Sequence, residues 1–198
     1  MATVMHVEDW DTVADALGQF IRALQDCDAT GGPIAGAHCW FRGCSLKHYD
    51  AETQGALKVA NDDFDHESAA AVWRAALEQE WDKPPVWFHG DLSAGNLLVS
   101  NGKLSAVIDF GACGTGDPAC DLVPAWTIFT GSSRKTFEDV VMHDPATWAR
   151  ARGWALWKGL ITLTDESRSS IEKQKALAVV RRVIEGHEEL QPPSQQVH

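Results

Sequence analysis

Two polar strings flank a short apolar stretch near the middle of the chain. The first, His89-Gly90-Asp91-Leu92-Ser93-Ala94-Gly95-Asn96, fits H-x-D-x-x-x-x-N, and the second, Ile108-Asp109-Phe110-Gly111, reads D-F-G. Phosphoryl transfer to a hydroxyl or amine needs a carboxylate that accepts the acceptor's proton. It also needs oxygen ligands that hold Mg²⁺ against nucleotide phosphates. Asp91 and Asn96 on one loop, with Asp109 returned by the segment between, could supply those groups at one point. Taken singly, Asp91 or Asn96 reads as a turn residue satisfying its own backbone. Asp109 is harder to dismiss, because at the end of the apolar run Val107-Ile108 it would otherwise bury an unpaired charge.

The elements that must position these groups are legible around them. Leu97-Leu98-Val99 and Leu104 to Ile108 are two apolar runs about Asn101-Gly102, a strong hairpin signal. Pro84-Pro85 stops any helix and leads extended into Val86-Trp87-Phe88. Upstream, Asp11 to Gln25 sets Val13, Leu17, Phe20, Ile21 and Leu24 on one helical stripe. Asp28 to Gly43 reads as a loop, Asp50 to Ala60 as a short helix and Glu67 to Glu80 as another. Downstream, Asp117-Pro118 reads as an N-cap and first turn opening a helix through about Phe129. Thr147 to Leu163 and Ile171 to Leu190 complete the helices, and residues 191–198 are expected as a flexible tail. The expected fold class is mainly α with a small β-hairpin, an α+β arrangement in one domain spanning residues 1–190.

Composition narrows the function classes. The 198 residues are 44% hydrophobic and 23% charged, as in a soluble globule. The net charge of −11 repels phosphate backbones, so no nucleic-acid partner is expected. The start of the chain carries His6, Glu8 and Asp9 and does not read as a signal peptide. No apolar run approaches the ~18 residues that would span a bilayer. Five cysteines without a C-x-x-C pair suit free thiols in a reducing cytosol. The expectation is a cytoplasmic protein with no membrane partner.

The strings His89 to Asn96, Val107 to Gly111 and Gly114 to Leu122 together resemble the aminoglycoside phosphotransferase family, small-molecule kinases with a protein-kinase-like fold. Supporting matches are Phe41-Arg42-Gly43, Tyr49 to Thr53 and the Trp148 to Trp157 helix. The resemblance implies that the chain is the C-terminal lobe of such a fold. It implies ATP or GTP as phosphoryl donor, Mg²⁺ as cofactor and a small molecule, with a cationic sugar or amine as one class, as acceptor. By it, Asp91 is the catalytic base, Asn96 and Asp109 bind Mg²⁺, and His89 braces the loop. Asp121 ties the loop down from below, while Asp117 is structural. Gly90 stands where protein kinases carry Arg, which suits a constitutively formed site.

The upstream segment is expected to lack the family's N-terminal lobe. Gly31-Gly32-Pro33-Ile34-Ala35-Gly36 follows a helix, and Pro33 removes a donor, so it is no phosphate cradle. Neither Lys47 nor Lys58 reads as a nucleotide clamp. Alternatives are therefore a non-catalytic binding module, or a half-enzyme completed by an N-lobe-bearing partner or a second copy. A dinuclear metallophosphatase lacks its further histidines here, and a serine nucleophile lacks the G-x-S-x-G elbow. Cys113 and Cys120 read as small hydrophobes. Of the nine tryptophans, most of Trp126, Trp148, Trp154 and Trp157 are expected in the core, with one or two on a substrate cleft. Asp165-Glu166 could add acidity there, although a solvated helix end is the plainer reading.

Overall fold

The computed structural model describes residues 9–61 and 63–190. Helix α1 (Trp10–Gln25) starts where the Asp9 carboxylate accepts the backbone N–H groups of Asp11 and Thr12, and it buries Val13, Leu17 and Ile21. Helices α2 (Asp50–Val59) and α3 (His66–Leu77) follow. Strand β1 (Val86–Phe88) enters the site, and β2 (Leu97–Ser100) and β3 (Lys103–Val107) form the hairpin. After β4 (Gly114–Gly116) come α4 (Pro124–Thr127), α5 (Gly131–Val141), α6 (Pro145–Thr164) and α7 (Ser170–Glu188).

Helix α6 is the axis of the molecule, packing against α2, α3, α7 and the turn that follows β4, while α1 pairs with α5. The core runs along it through Trp73, Trp126, Trp154, Phe88, Phe129 and Phe137, all essentially inaccessible to water. Each such side chain contributes on the order of 2–3 kcal/mol through burial, which lets α6 hold several layers in place.

The hairpin forms as expected, with Asn101 and Gly102 at φ 51° and 73°, the positive pair that a type I′ turn requires. Its register pairs Leu97 with Val107 and Ser100 with Lys103, with a shift after Leu98. It is joined by a second antiparallel ladder, β1 with β4, in which Trp87 faces Thr115. Three residues of Gly and Thr give β4 no apolar signature, which is why it is invisible to pattern reading. The glycine-bearing loop upstream docks beside this ladder: Thr115 N–H donates to the Pro33 carbonyl at 2.8 Å, and Ala35 N–H to the Thr115 carbonyl at 2.9 Å.

Three expectations are corrected. The helix expected from Asp117 to Phe129 is instead a 3₁₀ turn, Pro118–Leu122, followed by the single-turn α4. Pro124 is the cause, since its ring and missing N–H interrupt a continuous ladder back to Cys120. The helix expected at Glu67–Glu80 ends at Leu77, and Glu80 instead pairs with Lys47. Helix α5 was not anticipated. Its buried stripe is only Ser133, Phe137 and Val141, and its apolar content is too thin to announce it. The tail expected at 191–198 lies outside the described residues.

Candidate active site

His89 follows directly on β1 and is fully buried. Its Nδ1 accepts the Asp91 backbone N–H at 3.2 Å, so Nε2 carries the proton and donates to the Ile108 carbonyl at 3.0 Å. One ring therefore ties the loop carrying Asp91 to the end of the hairpin carrying Asp109. Its face rests 4.7 Å from the Phe110 ring.

Beneath it, Asp121 accepts the backbone N–H groups of His89 at 2.6 Å and Gly90 at 2.7 Å. Full burial pushes the Asp121 carboxyl up to about 6, against these two donors and His89, with the nearby Asp91 charge adding to the rise. Asp117 caps the 3₁₀ turn through the Ala119 N–H at 3.0 Å. It also meets Arg150 of α6 in a buried fork, with Nε at 2.7 Å and Nη2 at 3.1 Å. That pair is not readable from sequence, because its partners are brought together only by packing.

Gly90 has a steric explanation. Its φ is +84°, and a Cβ there would stand 2.4 Å from the Ala112 carbonyl oxygen. No L-residue with a side chain fits without moving that backbone. Asp91 itself is exposed at the mouth. Asn96 turns its amide N–H₂ toward it, donating to the Asp91 carbonyl at 2.8 Å and to Oδ2 at 3.2 Å. The Asn96 carbonyl in turn receives the Ile108 N–H at 2.9 Å, locking the loop to the hairpin end. Asp109 is an exposed residue held at φ 65°, in the left-handed region, and its carboxylate receives only a 3.4 Å contact from the Gly111 N–H.

Two adjoining cavities meet at Asp91. One, of about 180 Å³, is bounded by Asp91, Asp109, Gly111 and Trp40. The other, of about 130 Å³, lies over Leu92, Val123, Trp154 and Trp157. Arg42 and Lys158 border both. The Lys158 ammonium is drawn below its usual range by desolvation first and Arg42 second, with Asp91 acting in the opposite sense. Burial pushes the Cys120 thiol well above its ordinary range, in keeping with an inert hydrophobe. Cys113 is shifted the same way for the same cause.

The predicted residues thus converge. His89, Asp91, Asn96 and Asp109 form one connected loop-and-hairpin unit, with Asp121 beneath it and Asp117 on the turn joined to α6. Asp165-Glu166 does not reach them: Asp165 is engaged with Ser167 and Arg168 at the end of α6. Sequence reasoning passed over Lys158 and gave Arg42 no role, since neither belongs to a local motif. Asn96 Oδ1 and the Asp109 carboxylate are hard oxygen donors, and among the described residues Asp109 is in no ion pair, a set suited to Mg²⁺, which commonly takes one or two protein oxygens and completes its shell with phosphates and water. Among the described residues no cluster of three or more His, Cys, Asp or Glu could hold a metal alone, and none is needed for an ion carried by a nucleotide.

Among the described residues, no helix is long and apolar enough to cross a membrane. The chain is 34% identical over 119 residues to an aminoglycoside 3'-phosphotransferase of Escherichia coli, a match covering 58% of this chain and 42% of that one. Among solved structures it resembles a thermostable mutant of aminoglycoside phosphotransferase APH(4)-Ia in ternary complex with AMP-PNP and hygromycin B. The TM-score is 0.56 at 18% identity, covering 90% of this chain and 65% of that one. A macrolide 2'-phosphotransferase type I superposes with a TM-score of 0.56 at 16% identity, covering 87% of this chain and 60% of that one. The chain thus spans less than two thirds of the relatives it matches, and the fold is that of the helical lobe of kinase-like phosphotransferases. The pattern of the phosphotransferase enzyme family matches residues 2–197, and the chain belongs to that family.

Proposed function

We propose that the chain supplies the catalytic and acceptor-binding part of a phosphotransferase that moves the γ-phosphoryl group of ATP to a hydroxyl of a small molecule. The observation that carries this reading is the hydrogen-bonded unit His89–Asp91–Asn96 closed against Asp109, at the junction of two cavities. Asp91 accepts the acceptor's proton as the O–H bond breaks, the new O–P bond forms and the bond to the ADP leaving group breaks. Asn96 holds that carboxylate in orientation, and His89 fixes the loop beneath it. Asn96 Oδ1 and Asp109 would hold Mg²⁺, which when bound neutralises developing charge on the phosphates. The complex of a solved relative with AMP-PNP supports a nucleotide donor.

A second reading is favoured by the described residues ahead of β1. They form α1 to α3 and short 3₁₀ turns, with no strand bearing a lysine toward the site. In this reading the chain binds the acceptor, and a further segment or partner must hold the nucleotide. ADP release with Mg²⁺-ATP against a panel of hydroxylated small molecules tests the first reading. Asp91→Asn is expected to lower turnover by about 10²–10⁴-fold with an unchanged unfolding midpoint. A variant that keeps wild-type turnover would remove Asp91 from the chemistry. Calorimetry showing acceptor binding but no Mg²⁺-ATP binding would select the second reading.

A further inference from the structure

The cavity over Trp154 and Trp157 carries a charge pattern opposite to that of the chain. The protein holds 28 acidic against 17 basic residues, yet Asp91 is the single acid on the cavity wall, facing Arg42 and Lys158. Neither cation forms an ion pair among the described residues. The Arg42 guanidinium lies 4.6 Å over the Trp157 ring and 5.5 Å over Trp154, and one Nη donates to the Tyr49 hydroxyl at 3.3 Å. Among the described residues its remaining donors have no carboxylate partner. The indole wall is itself fixed: Trp157 Nε1 donates to Glu52 at 2.6 Å, and Tyr49 lies 4.2 Å from the Trp157 ring. Glu52 is thus engaged with the indole it braces and is not part of the cavity lining.

Position adds to charge. The cavity, of about 130 Å³, shares Arg42, Asp91 and Lys158 with the adjoining one of about 180 Å³. Trp154 and Trp157 meet edge to face, 5.7 Å apart at 85°, and with Leu92, Val123 and Ile128 give it an apolar wall. A guanidinium fork matches a planar carboxylate in two parallel hydrogen bonds, and a lysine adds a second positive charge without demanding geometry. A polycationic acceptor would meet two like charges at the entrance.

We propose that this cavity takes a compact hydroxy-carboxylic acid with an apolar body, its carboxylate held by Arg42 and Lys158 and its hydroxyl presented to Asp91. The inference rests on Asp91 as the proton acceptor, so its test reads binding and turnover separately. It points away from the cationic sugar or amine that the sequence suggested.

Three probes share one ring and one primary alcohol: para-hydroxymethyl benzoate, para-hydroxymethyl benzyl alcohol and para-hydroxymethyl benzylamine. Binding to the full chain is followed by quenching of tryptophan fluorescence. The benzoate is expected to bind at least about tenfold more tightly than the alcohol, with the amine weakest. Arg42→Gln and Lys158→Gln should each erase that order, whereas Lys158→Arg, which keeps the positive charge, should keep it. Inorganic tripolyphosphate should not displace the benzoate. A flat or reversed order overturns the proposal, as does failure of the benzoate to bind at millimolar concentration. Displacement by tripolyphosphate also overturns it and would assign the two cations to the donor phosphates. Charge-ordered binding without ADP release would sustain this recognition and sink the phosphotransfer reading. ADP release from all three probes without charge order would do the reverse.

Discussion

The loop and hairpin from Phe88 to Gly111 and the wall formed by Arg42 and α6 meet at Asp91, but they are held by different means. The loop is wired by hydrogen bonds between residues near in sequence: His89 to Asp91, Asn96 to Asp91 and Ile108 to Asn96. Asp121 anchors it from a distance by taking two backbone donors at once, and α1 packs on it with Phe20 edge-on to Phe110. The wall is assembled from residues more than a hundred positions apart, through tilted and edge-to-face aromatic contacts, cation–π contacts and the Trp157–Glu52 bond. Local wiring fixes Asp91, the proposed proton acceptor, whatever lies opposite it. Long-range packing leaves the wall free to vary in charge and shape. On the proposed function, chemistry and specificity are therefore carried by separable parts.

The sharpest way to break that separation is at Arg150, which fastens α6 to the turn after β4. Arg150→Ala strands Asp117 as a buried, unpaired charge and is expected to cost about 3–5 kcal/mol in denaturant unfolding. If the wall and the loop are independent, acceptor binding should suffer more than the hydrogen-bonded loop. Equal loss of both would show that they form one unit.

Asp121→Asn probes the opposite side. The amide can keep one acceptor for the His89 or Gly90 N–H but must turn a donor toward the other, a loss of about 1–3 kcal/mol. Turnover is expected to fall more than acceptor affinity, because the displaced groups lie under Asp91 and not under the indoles. An affinity loss equal to the turnover loss would contradict the comparison.

The smallest effect concerns pH. Asp144 caps α6 by accepting the Thr147 N–H at 2.8 Å and pairs with Lys83 at 2.5 Å. Burial pushes its carboxyl upward, but the Lys83 contact and the Thr147 bonds outweigh it and hold the group well below the ordinary 3.8. A folded-state value below the unfolded one means stability that is fully present above about pH 4 and lost on further acidification. Asp144→Asn should therefore be less stable than wild type by a modest margin at neutral pH, with the gap narrowing below about pH 4. A gap that widens on acidification would exclude this capping role.

Much of the catalytic unit could be read from the chain because its signals are local. An Asn-Gly pair can enter the left-handed region, apolar runs on both sides must pair, and Pro84-Pro85 must run extended. Those constraints bring Asp91, Asn96 and Asp109 together before any distant contact is considered. The resemblance then attached roles to positions that geometry alone left open. Where the local signal was weak the reading failed: β4 has only Gly and Thr to announce it, and α5 shows a thin stripe. Pro124 was a visible breaker in a segment read as one helix.

Other features were decided only by tertiary structure. That Gly90 must lack a side chain follows from the Ala112 carbonyl beside it, a contact across the loop. That Asp117 meets Arg150, and that Arg42 lies over the Trp157 indole with Lys158 on the same cavity, follows from how α6 packs against the turn after β4 and the segments ahead of β1. Burial and like-charge proximity have no period in a sequence, because they depend on which surfaces meet. The residues proposed to do the chemistry were therefore written locally, whereas the charge of the space around them emerged only when the chain was packed.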